Sequence, residues 1–145
     1  MSKKYTIYTD GGSRGNPGIG GWGAFISSES GEKDLYGSEQ ETTNNRMELT
    51  AAIEALRYCD DNSEIDLHTD STYVRDGITQ WITNWKRNGW RTAAKKPVKN
   101  QDLWIMLDEQ VERHTVQWHW VKGHAGEEGN ERADQLCNKA MDEIE

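Results

Sequence analysis

The chain has 145 residues, within the usual size of one folding domain, and at that length folding can hide roughly two-thirds of the chain's surface without a disulfide staple. Its two cysteines, Cys59 and Cys137, sit in helix-like stretches beside apolar residues and form no CxxC or His-rich pattern, which excludes a disulfide scaffold and a zinc finger. No stretch approaches the ~20 apolar residues of a membrane span, and Met1-Ser-Lys-Lys4 leads straight into a strand pattern, so a cytoplasmic protein without a signal peptide is expected.

Tyr5 to Asp10 alternates as a first strand, and Gly11 to Gly18 reads as a Gly-rich turn after it. Trp22 to Ser28 and Lys33 to Glu39 pair as strands around Ser30-Gly31, giving an antiparallel meander. From Asn45 the period changes. Leu49, Ala52, Ile53 and Leu56 recur at helical spacing to about Cys59, and Asn45 and Glu48 have the spacing of a capping box.

Asp60 to Ser63 breaks that helix. Glu64 to Asp70 is a short strand, and Ser71 opens a second helix. Asn100 is expected to cap a further helix carrying Leu103, Leu107 and Val111. Thr115 to Val121 alternates with Val116, Trp118 and Trp120 on one side. Ala133, Leu136, Cys137 and Ala140 then mark a last helix. Three meander strands followed by αβαβα elements imply a mixed α/β sheet with helices on its faces.

The net charge of −8 argues at first against a nucleic-acid partner, but its distribution argues for one. Between Gly77 and Gln101 there is no acid, yet there are six bases: Lys86, Arg87, Arg91, Lys95, Lys96 and Lys99. The remainder holds 11 of the 17 basic residues against all 25 acids, a balance of −14. A basic patch segregated on an acidic body is a local polyanion-binding surface. Trp81, Trp85 and Trp90 interleave with these charges and are candidates for packing on sugars; the bland alternative, that Trp81 and Trp85 at i, i+4 anchor the segment, is favoured for Trp81.

The first and fourth strands both end in Thr-Asp, at Thr9-Asp10 and Thr69-Asp70. As parallel neighbours they would set two carboxylates side by side at the carboxyl ends of strands, where α/β sheets form their sites. Such a pair repels unless a cation lies between, and Mg2+ prefers carboxylate oxygen. Glu48, off the apolar stripe of its helix, is expected to project past the sheet edge; Asp134, one position past Ala133, lies at the margin of the last helix's buried face. Taken singly, each acid has an ordinary explanation: a strand-end turn for Asp10, a helix cap for Asp70, capping-box spacing for Glu48 and a solvated face for Asp134. Together they can hold two metal ions suited to in-line attack on a phosphodiester.

Tyr8-Thr-Asp-Gly-Gly-Ser-Arg-Gly-Asn-Pro-Gly18, Thr42-Thr-Asn-Asn-Arg-Met-Glu-Leu49, Thr69-Asp-Ser-Thr-Tyr-Val-Arg75, and Val121-Lys-Gly-His-Ala-Gly126 with Asn130-Glu-Arg-Ala-Asp134, resemble type 1 ribonuclease H in its bacterial form, over nearly the whole chain. The resemblance implies one catalytic domain over 1–145 with a ribonuclease H-like five-stranded mixed sheet in strand order 3-2-1-4-5. It implies an endonuclease that cuts the RNA strand of RNA–DNA hybrids with two Mg2+ ions (Mn2+ substituting), leaving 5′-phosphate and 3′-hydroxyl ends. A monomer with no membrane partner is expected.

The family's metal-binding acids match Asp10, Glu48, Asp70 and Asp134, and its mobile-loop histidine matches His124, between small residues and able to titrate near neutral pH. By the same resemblance Gly11, Gly12, Asn16, Asn44 and Glu48 line the RNA side. Thr43, Asn45 and Asn100 fall by the DNA strand and its phosphate pocket, and Trp81 to Lys99 matches the basic protrusion. Three departures stand out: Thr72 in place of a longer amide, Glu41 in place of a base, and Glu127-Glu128 near His124. The alternatives are a non-catalytic hybrid- or duplex-binding module and a metal phosphatase; the intact acids and His124 count against the first, the basic segment against the second.

Overall fold

The computed structural model describes residues 3–92, 94–121 and 128–145. Five strands form one sheet in the order β3-β2-β1-β4-β5: β1 (Lys4–Ser13), β2 (Gly18–Ser28), β3 (Gly31–Thr42), β4 (Glu64–Thr69) and β5 (Thr115–Trp120). The first three make the expected antiparallel meander, while β4 lies parallel to β1 and β5 parallel to β4. The strand order is the expected 3-2-1-4-5.

Alternation along the strands builds two faces. Tyr5, Ile7, Ala24, Ile26, Ile65 and Leu67 point to one side, against α1 (Asn44–Tyr58) and α4 (Gln101–Arg113), and form the main core with Leu49, Ile53, Leu56, Trp104 and Leu107. On the other side α5 (Glu128–Ile144) covers β1, β2 and β3 and buries the anticipated stripe Ala133, Leu136, Cys137 and Ala140. A Cβ on Gly23 would stand 2.6 Å from the Ala133 carbonyl oxygen, so only glycine lets α5 lie this close to β2.

Several boundaries differ from the sequence expectation. Gly11, Gly12 and Ser13 are not turn residues: they extend β1, opposite Trp22, Gly21 and Gly20. Backbone pairing with a neighbouring strand outweighs the turn preference of glycine here. The cap of α1 is Thr43, whose Oγ1 accepts from the Arg46 N–H; the Asn45/Glu48 pair makes no capping box. Ser71 caps α2 (Thr72–Asp76) through its Oγ, which settles the capping alternative against Asp70. From α2 the chain continues through one π-helical turn, Gly77–Trp81, into α3 (Ile82–Arg87). Asn100 stands at the start of α4 in a left-handed conformation, but its side chain does not cap the helix. Among the described residues, no helix is long and apolar enough to cross a membrane.

Candidate active site and nucleic-acid interface

The parallel register between β1 and β4 runs from Lys4 opposite Glu64 to Tyr8 opposite His68 and stops there. Beyond that point β1 keeps its pairing with β2 while β4 ends at Thr69, so the two strands part. Asp10 and Asp70 lie at equal distance past the last paired residues, at the mouth of this split. α1 contributes the third acid because its first turn rests directly on β1: a Cβ at Gly11 would lie 2.4 Å from the Met47 carbonyl carbon and 2.5 Å from the Glu48 nitrogen. Ligand oxygens of Asp10, Glu48 and Asp70 all fall within 4.8 Å of one another.

Glu48 does not project past the sheet edge. It is 8 % exposed and Asp10 7 %, both enclosed where α1 meets the strand. The fourth acid, Asp134 of α5, comes from the opposite face of the sheet and hydrogen-bonds Asp10 without joining the trio. Asp10 is thus the member common to both groupings. Burial, with the Asp70 charge and the Asp134 contact, pushes the Asp10 carboxyl up to about 8, although the Gly11 N–H donates to its Oδ1 at 3.0 Å. Burial raises Glu48 as well, reinforced by the charges of Asp10 and Asp70.

Such an arrangement fits a divalent cation. Three carboxylates crowded together are held in their charged forms by a positive ion at their centre, and all the donors are hard oxygens. Glu48 Oε2 is buried with no hydrogen-bond partner among the described residues, which suits it to ligate a cation.

Six of the expected binding residues share one cleft of about 450 Å³: Asn16, Thr43, Asn44, Asn45, Lys99 and Asn100. Asn16 Oδ1 accepts from the Ser13 hydroxyl at 2.9 Å and from the Asn44 N–H at 3.0 Å, which ties the loop after β1 to the start of α1. The Asn100 amide is already engaged, donating to the Tyr73 hydroxyl and accepting from Arg46. Arg46, not singled out from sequence, grips Asp102 through two hydrogen bonds of 3.0 and 2.8 Å and so fixes α4 to α1. A cation in the first turn of a helix opposes the helix dipole, a signal that Arg46 needs a partner elsewhere.

In the basic segment, the tryptophans are mainly anchors. Trp81 meets Tyr73 and Trp85, and Trp85 meets Trp90 and the fully buried Trp104. Lys86 is held by Asp108 and Glu112 of α4. Arg87, Arg91, Lys95, Lys96 and Lys99 are exposed and, among the described residues, join no salt bridge. Gly11 and Gly12 lie on β1 beside the acids, Gly12 facing the Asn44 amide. His124 falls in 122–127, outside the described residues.

The backbone superposes on solved structures over nearly its full length. LC9-RNase H1, described as a type 1 RNase H with the type 2 active-site motif, matches with a TM-score of 0.86 at 32 % identity, covering 99 % of this chain and 74 % of that one. RNase H1 from the halophilic archaeon Halobacterium salinarum matches with a TM-score of 0.73 at 27 % identity, over 97 % and 98 % of the two chains. The fold is therefore ribonuclease H-like, an α/β class with its acids at the parting of two parallel strands.

The family model described as RNase H matches residues 2–142. Ribonuclease H of Pseudomonas entomophila is 59 % identical over 144 residues, 99 % of this chain and 97 % of that protein; ribonuclease H of Hyphomonas neptunium is 61 % identical over 138 residues, 95 % and 92 % of the two. The chain belongs to the RNase H family, in its bacterial type 1 form, and is an enzyme of that family.

Proposed function

We propose that this protein is an endonuclease that hydrolyses the RNA strand of RNA–DNA hybrids, acting in the cytoplasm as a monomer with one catalytic domain. The observation that carries the chemistry is the trio Asp10, Glu48 and Asp70, with ligand oxygens within 4.8 Å of one another and two of the three buried. Two bound Mg2+ ions, with Mn2+ as substitute, would supply an activated water and neutralise charge on the leaving oxygen, giving 5′-phosphate and 3′-hydroxyl ends.

The protein's own residues hold and orient. Asp10, common to the trio and to the Asp134 contact, would hold both ions, Glu48 and Asp70 would help hold the one that steadies the leaving 3′ oxygen, and Asp134 the one that activates water. His124 assists proton transfer or product departure from its loop. Thr43, Asn45 and Asn100 of the Asn16–Asn100 cleft, with the free bases of Arg87 to Lys99, take the DNA strand's phosphates, the sequence-independent part of affinity. Gly11, Gly12, Asn16 and Asn44, with Glu48, line the RNA side, where recognition of the 2′-hydroxyl separates RNA from DNA. Trp85 and Trp90 offer flat edges to the sugars while remaining anchored.

The test compares wild type with Asp10→Asn and Asp70→Asn on labelled hybrid, RNA duplex, DNA duplex and single-stranded RNA, each with Mg2+. Cutting of the RNA strand in the hybrid alone, lost in both variants, is the expected result. Equal cutting by wild type and variants would reject the site.

A further inference from the structure

A second cleft, of about 380 Å³, opens on the other flank of the acids and is lined by Asp70, Thr72, Arg75 and Trp120 among others. The Asn16–Asn100 cleft lies by β1 and the start of α1; this one lies over the carboxyl ends of β4 and β5. The floor is firm. The Val121 N–H donates to the Thr69 carbonyl at 3.0 Å, extending the β4–β5 pairing, and Trp120 stacks on Trp118 with ring centroids 5.5 Å apart.

Thr72 and Arg75 stand three positions apart on α2 and therefore on one face. Thr72 is short and exposed, and it lines the cleft together with Asp70 and Arg75. Arg75 is the cation lining the cleft. Its ion pair is with its neighbour Asp76, a single 3.4 Å contact between two partly exposed groups. Exposed pairs of this kind contribute little, so the guanidinium can exchange that partner for a phosphate, which it binds in bidentate fashion.

We propose that Arg75 is a substrate-binding residue that holds an RNA-strand phosphate displaced from the scissile one, across the carboxyl ends of β4 and β5, with Trp120 flanking the sugar. The inference rests on the hybrid-nuclease reading above. The RNA strand is the one concerned because the cleft adjoins Asp70 directly and takes in none of the residues proposed for the DNA strand.

The test is steady-state cleavage of hybrid by wild type, Arg75→Ala and Arg75→Lys, at several salt concentrations. Losing one charge-assisted phosphate contact should raise KM roughly 3- to 10-fold with kcat nearly unchanged. It should also shrink the slope of log affinity against log salt by about one. Arg75→Lys should restore the salt slope and only part of the KM. A single uncharged methylphosphonate walked along the RNA strand should weaken wild type at one off-centre linkage and leave Arg75→Ala indifferent there. Wild-type KM and salt slope in Arg75→Ala would overturn the proposal, as would a fall in kcat with KM unchanged. A wild type that does not cut hybrid would instead overturn the proposed function.

Discussion

At the scale of single residues, the acids are held in an unfavourable state that the fold imposes. Asp10 is raised to about 8 from an ordinary carboxylate value by burial and by its neighbours. The folded protein therefore binds a proton more tightly than the unfolded chain does, and without metal its stability should fall as pH rises from about 4 through 8. Asp10→Asn removes that penalty. In chelator, thermal unfolding should show the variant more stable than wild type at pH 8.5, with the advantage gone near pH 4. Saturating Mg2+ should reverse the order at pH 8.5, since the ion binds only the intact site.

His114 works in the opposite sense. Its Nδ1 accepts from the Ser63 N–H at 3.2 Å and its Nε2 donates to the Leu56 carbonyl at 3.0 Å, so the neutral ring is satisfied at both nitrogens. Burial holds its pKa below the usual histidine value. The stability it contributes is present above pH ~6.5 and is lost as pH falls through its lowered folded value. His114→Gln should flatten that acid-side decline in an unfolding series between pH 7 and 5. An unchanged profile would show that the decline belongs to other groups.

At the scale of elements, the site depends on how closely two helices approach the sheet. Gly11→Ala would force α1 off β1, and overpacking of this kind costs about 1–3 kcal/mol. Activity should suffer more than stability, because Glu48 moves with the helix. Measuring Mn2+ affinity by calorimetry beside the unfolding temperature separates the two effects.

The basic segment divides likewise. Lys86 braces α3 against α4, so Lys86→Ala should lower the unfolding temperature with little change in salt dependence. Lys95→Ala and Lys96→Ala should leave unfolding unchanged and raise KM. The tryptophans explain why a charged segment stays ordered: Trp81, Trp85 and Trp90 pack in sequence toward Trp104.

At the scale of the whole molecule, charge is partitioned. The chain carries −8 overall, but five exposed bases between Arg87 and Lys99 are left out of salt bridges among the described residues. If all five meet phosphates, log affinity for hybrid should fall with log salt at a slope of about −4.5, at ~0.9 per contact. A slope near zero, measured by titration with metal replaced by Ca2+, would mean that the protrusion does not bind.

Period and punctuation in the sequence were enough to place every strand and the helices α1, α4 and α5, because apolar alternation follows burial face by face. The motifs around Asp10, Glu48, Asp70 and Asp134 likewise named the acids. What they could not convey was depth and direction. Glu48 is buried rather than projecting, because Gly11 admits the helix backbone to within contact of the strand. Gly11 and Gly12 are strand rather than turn, because β2 pairs with them. Thr43 rather than Asn45 caps α1, and the Asn100 amide turns to Tyr73 and Arg46. Each of these depends on a partner distant along the chain. Local pattern placed the cores of the strands and helices and picked out the acids; where a strand ends, which carboxylates come together, and which basic groups are left out of salt bridges is decided only when the elements pack.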